Sequence, residues 1–101
     1  MWQKAARRAD LKEGHGVPVR VAGRALALFL EEGQVYALRD ECTHAGAPLS
    51  EGEVRKCRVT CPWHAAQFDI RTGESVGELG YNPVRSFPAR FAGDDVEVDI
   101  P

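Results

Sequence analysis

Residues 42–49 read Cys-Thr-His-Ala-Gly-Ala-Pro-Leu, and residues 61–68 read Cys-Pro-Trp-His-Ala-Ala-Gln-Phe. Each stretch opens with a cysteine, places a histidine two or three positions on, and continues through proline and small side chains. Proline fixes φ, and small residues let the backbone approach a ligand closely, so both stretches are expected to be tight loops. Between them, Glu53 to Thr60 reads as a strand.

Outward from these loops the chain takes up a period of two, broken by frequent turns. Val17, Val19 and Val21 share one face with Arg20 on the other, and Leu26, Leu28 and Leu30 share a face of the next run. Val35-Tyr36-Ala37-Leu38 follows; near the end Phe87, Ala89 and Phe91 alternate with Pro88 and Arg90, and Val96, Val98 and Ile100 with Glu97 and Asp99. Gly23-Arg24, Glu32-Gly33, Thr72-Gly73 and Gly93-Asp94 fall between the runs as turns. Ala-Leu-Ala-Leu-Phe-Leu at 25–30 resembles a short helix in composition, but its length between Gly23 and Gly33 favours a strand. The pattern predicts an all-β chain, an antiparallel meander packed as a sandwich or small barrel. Residues 1–101 then form one domain, with about residues 40–68 inserted as a ligand-binding subdomain.

Composition narrows the function. Hydrophobic residues make up 44% and charged residues 28%, an ordinary globular balance. The net charge of −2 and the absence of a basic run argue against nucleic acid as a partner. No apolar segment approaches the roughly 20 residues that cross a bilayer, and none resembles an export signal, so the expected location is the cytoplasm, away from membranes. In a reducing compartment, three cysteines at close spacing point to metal binding before a disulfide framework.

Cys42, His44, Cys61 and His64 supply four soft or borderline donors as Cys-x-His and Cys-x-x-His, sixteen residues apart. A zinc finger groups its two cysteines in one pair and its two histidines in the other. Here each pair is mixed. If the loops face each other, cysteine meets cysteine and histidine meets histidine, which suits a two-iron cluster with both thiolates on one iron and both imidazoles on the other. A structural zinc module on the same four residues is the rival reading from another class.

With Gly46, Pro48, Pro62 and the Gln67-Phe68-Asp69 strand start in place, the sequence resembles the Rieske family over nearly its whole length. The resemblance implies a Rieske-like β-sandwich or barrel base, one [2Fe-2S] cluster per chain, Cys42 and Cys61 on the inner iron, and His44 and His64 on the outer iron near the surface. It implies a small soluble one-electron carrier and not an enzyme, with a flavin-containing reductase as donor and a terminal oxygenase or other oxidoreductase as acceptor. A small nitrite reductase-like subunit is the second reading within the family. Two ferric ions, two sulfides and two thiolates sum formally to zero charge, which raises the potential into the range of about −150 to +300 mV.

Members with high potential add a disulfide between the loops, and a serine and a tyrosine that bond to sulfur. In this chain Ala47 and Trp63 stand at the disulfide positions, Ala66 replaces the serine and Phe68 the tyrosine. The resemblance is closer to the ferredoxin components of ring-hydroxylating dioxygenases, and the expected potential lies low in the range. Gly80-Tyr81-Asn82-Pro83 resembles the proline-bearing loop that covers the cluster in this family. Of the remaining candidates, Cys57 is read as a core cysteine sharing a strand face with Cys61, His15 as a solvated loop residue, and Trp2 as closing the core at the first strand. Trp63 is read either as packing or as part of a docking surface.

Overall fold

The computed structural model describes residues 1–43, 46–63, 66–77 and 81–101. Its strands are β1 (Trp2–Arg7), β2 (Gly16–Val21), β3 (Arg24–Glu31), β4 (Gln34–Arg39), β5 (Glu53–Arg55), β6 (Arg58–Thr60), β7 (Gln67–Asp69), β8 (Ser75–Val76), β9 (Ser86–Phe87), β10 (Ala89–Ala92) and β11 (Asp95–Asp99). They assemble into three antiparallel sheets ordered β1-β11-β10, β2-β3-β4-β9 and β5-β6-β7-β8. The regular helix among the described residues is limited to two 3-10 turns, Arg8–Asp10 and Leu49–Glu51. The all-β antiparallel reading therefore holds, and residues 25–30 lie inside β3.

The sheet β2-β3-β4-β9 is the middle layer, and alternation along its strands explains why. On β3, Leu26 and Leu28 enter one buried core with Val21, Val35, Ala37, Phe87, Val96 and Val98. Ala27 and Phe29, pointing the other way, enter a second core with Leu38, Val54, Val59 and Phe68. All four of these β3 side chains are fully buried. A strand covered on both faces reads as a continuous apolar run, which accounts for the helix-like composition of 25–30. The first core joins the middle sheet to β1-β11-β10. The second joins it to β5-β6-β7-β8 and to both cysteine-headed segments.

Three expectations need correction. Glu53 to Thr60 is not one strand but the hairpin of β5 and β6, with Lys56 and Cys57 both in the left-handed region at φ 51° and 62°. That pair of conformations is the tight two-residue turn whose twist matches its flanking strands. The run around Phe87 to Phe91 is likewise two strands. The chain passes from the middle sheet to the β1-β11-β10 sheet at Pro88, which has no N–H to offer a ladder. Trp2 does not close the core: it is 36% exposed on β1, and the Arg90 guanidinium lies 3.9 Å above its ring. His15 is exposed, as expected.

Gly73 shows how the last third of the chain is held. It follows the Asp69–Thr72 turn at φ 82°, and a Cβ there would overlap the carbonyl oxygen of Val84. Glycine lets the two backbones meet, and the Val84 N–H donates to the Gly73 carbonyl at 2.8 Å. No helix among the described residues is long and apolar enough to cross a membrane.

Candidate metal centre

The two cysteine-headed loops close in the same way. The Cys42 N–H donates to the Ala47 carbonyl at 2.8 Å, and the Cys61 N–H donates to the Ala66 carbonyl at 2.7 Å. In both, a cysteine is tied to the backbone five residues on, and an alanine that is nearly or fully buried shuts the turn. The first loop contains a further bond, Gly46 N–H to the Cys42 carbonyl at 2.7 Å, with Gly46 at φ 73°. The second loop is the connection between β6 and β7. Its base is pinned by the Thr60–Gln67 register and by the Gln67 side-chain amide donating to Thr60 Oγ1 at 3.3 Å.

Cys42 and Cys61 are each 1% exposed and belong to the same buried core, together with Ala47, Ala66, Phe68 and Phe29. None of the three cysteines is in a disulfide. Two sulfurs so withdrawn from water fit a bound metal group, because a thiolate is the metal-ligating form and needs a compensating cation once desolvated. His44 and His64, the other two expected ligands, lie outside the described residues. Among the described residues no three His, Cys, Asp or Glu side chains gather into a further metal site.

Neighbouring residues that spacing alone does not reveal hold the first loop. The Asp40 carboxylate accepts from the Ser50 N–H at 2.7 Å and from the Ser50 hydroxyl at 2.8 Å, bracketing the loop across ten residues. Gly16 permits this, since a Cβ there would collide with the Ser50 backbone. The Thr43 hydroxyl donates to the Asn82 carbonyl at 2.6 Å, and the Tyr81 N–H to Ser75 Oγ at 3.2 Å. The Tyr81–Pro83 segment therefore lies against the loop that Cys42 heads; Gly80 lies outside the described residues. The sequence signal for this contact was the Tyr-Asn-Pro run. Asp40 and Ser50 carried none, being ordinary polar residues joined only by the fold.

Cys57 packs at the margin of the core, and Trp63 stands outside it. Cys57 sits in the β5–β6 turn, half-buried, and burial pushes its thiol above the ordinary range. With β6 intervening, its separation from Cys61 is roughly 13 Å at strand rise, too far for a disulfide. Trp63 is 63% exposed and so is not a packing aromatic. Ala47, its counterpart in the other loop, is fully buried.

The match with known proteins is of full length. The naphthalene 1,2-dioxygenase ferredoxin component of Pseudomonas putida is 31% identical, over 98% of this chain and 95% of that one. The ferredoxin of Sphingomonas yanoikuyae B1 superimposes with a TM-score of 0.91 at 28% identity, covering 100% of both chains. A ferredoxin complexed with the oxygenase of carbazole 1,9a-dioxygenase gives a TM-score of 0.86 at 32% identity, over 96% of this chain and 91% of that one. The family model of the Rieske [2Fe-2S] domain matches residues 1–88. With paired loops each closed behind a buried cysteine, and a family match over most of its length, the chain belongs to the Rieske [2Fe-2S] domain family.

Proposed function

We propose that the chain carries single electrons between a flavin-containing reductase and a terminal oxygenase, with Cys42, His44, Cys61 and His64 holding its cluster. The observation that carries this reading is the pair of matched loops with their cysteines in one buried core. When bound, the [2Fe-2S] cluster supplies a one-electron couple, tuned by its ligands and by hydrogen bonds to its sulfurs. Cys42 and Cys61 anchor from within the core, which restrains the ligand cage between redox states. Thr43, which precedes His44 in sequence, and Pro62 and Trp63, which precede His64, are exposed. That exposed rim is the short path for an electron to a docked protein. The names of relatives support the same reading: they are ferredoxin components of dioxygenase systems, and one solved relative is complexed with its oxygenase. Three cysteines with no disulfide suit a cytoplasmic setting.

The buried positions around the loops offer no hydroxyl to the sulfurs where the high-potential members have one. Ala66 and Phe68 are both buried, and exposed Trp63 and buried Ala47 leave no inter-loop disulfide. We therefore place the midpoint low in the range of about −150 to +300 mV. The test is reconstitution with iron and sulfide under anaerobic conditions, followed by reduction. A red-brown protein with a rhombic EPR signal averaging below the free-electron g value supports the assignment. A colourless, EPR-silent protein that retains zinc overturns it. Redox titration of the same sample reads the midpoint, and a value well above zero overturns the low-potential assignment.

A further inference from the structure

We propose that the concave surface framed by Arg20, Arg24, Arg39 and Arg85 is the docking face for an acidic redox-partner protein. It is a concavity of about 360 Å³ at the end of the β2–β3 hairpin, completed by the end of β4 and the start of β9. Four guanidiniums line it, in a chain whose net charge is −2. Two carboxylates join them, so the four guanidiniums outnumber the acids: Asp40 is turned to Ser50, and Glu41 pairs with Arg39 at 3.1 Å. Phe87 sets two of the arginines in place. The Arg85 guanidinium lies 4.9 Å and that of Arg24 5.8 Å from its ring centroid. A guanidinium held against a ring by cation–π attraction can still offer its N–H donors to carboxylates. Arg20 is braced on the hairpin turn, donating to the Gly23 carbonyl at 3.0 Å.

Position ties this surface to the metal centre. Arg39, Glu41 and Arg85 also line a second hollow of about 180 Å³, whose far wall includes Thr43 and Pro83. Thr43 follows Cys42 directly, and its hydroxyl bonds to Asn82. The basic surface therefore runs up to the edge of the first cysteine-headed loop. The occupant is an acidic protein face and not a small anion because the arginines are spread over the ends of β2, β3 and β4 and the residue before β9, around an open hollow. Such a face orients a partner over the loops and speeds encounter. The inference rests on the carrier reading, and its test separates the two.

The test uses gold surfaces coated with carboxylate-terminated or amine-terminated monolayers as stand-ins for acidic and basic partners. Adsorption of the reconstituted protein, read by surface plasmon resonance at low salt, does not depend on electron transfer. By net charge alone this chain would prefer the amine surface. The expected result is preference for the carboxylate surface, a loss of about tenfold in Arg24→Gln/Arg85→Gln, and collapse of the preference near 1 M salt, where the screening length is about 3 Å. Preference for the amine surface, or no change in the double variant, overturns the docking face. So does stoichiometric binding of inorganic phosphate that displaces the chain, which would mark a small-anion site. Voltammetry of the reconstituted protein on the same surfaces then reads electron transfer. Adsorption without current leaves the docking face standing and counts against the carrier reading.

Discussion

Cys42 and Cys61 have the structural position that residues of a cofactor cage require: each is withdrawn into the core and fixed by a backbone bond on its own N–H. The consequence is that ligand identity can be changed without disturbing the frame. On the proposed ligand set, His64→Cys would replace a neutral ring by a thiolate and add negative charge beside the iron. The expected outcome is a lower midpoint in an intact two-iron centre, checked by redox titration with EPR of the same sample. An unchanged or higher midpoint would remove His64 from the ligand set. At this scale the short Cys/His spacing singled out Cys42 and Cys61, which share one buried core, while His44 and His64 lie outside the described residues. Asp40 and Ser50, which brace the same loop, were illegible: their pairing depends on β4 and the 3-10 turn at Leu49–Glu51 coming together.

Among the elements, the β7–β8 connection carries an ion pair with structural reach. Asp69 accepts from the Arg71 N–H and Nε at 2.8 and 3.0 Å through one oxygen and from Nη2 at 2.8 Å through the other. The Arg71 side-chain hydrogen bond holds the Asp69 carboxyl below its usual range, against an opposing push from partial burial. A carboxylate with a lowered pKa stabilises the fold fully above the unfolded value of about 3.9, and loses that contribution as pH falls through its folded value. Asp69→Asn is therefore expected to cost roughly 1 kcal/mol at neutral pH, a modest figure because Arg71 is more than half exposed. The gap between parent and variant, read from denaturant midpoints, should stay constant from about pH 7 to 5 and close below about pH 4. A gap that widens on acidification would assign the stability to something other than this pair. Element types were legible wherever a glycine marked the turn. They were misread at Lys56-Cys57, where two side-chain-bearing residues adopt the left-handed conformation, and at Pro88, where a single alternating run changes sheet.

For the whole molecule, the middle sheet is a shared wall between two cores of different duty. One contains Cys42 and Cys61; the other, made with β1, β10 and β11, contains no cysteine. The sequence displayed the period of two but not that both faces of β3 are covered, because alternation of large and small apolar residues conceals a two-sided burial. Adjacent residues on that strand now separate the duties. Leu28→Ala opens a cavity in the distant core and is expected to cost about 2–5 kcal/mol, with the midpoint and EPR signal unchanged. Phe29→Ala should cost about 3–5 kcal/mol and also loosen the packing behind both loops. Its reconstituted protein is expected to lose iron to a chelator faster than Leu28→Ala does at matched global stability, matched by adding urea to the more stable variant. Denaturation curves set the match, and the iron-release rate gives the answer. Equal release rates would mean that the loops draw their rigidity from the Asp40–Ser50 and Thr43–Asn82 contacts alone, and that the core behind them only fills space.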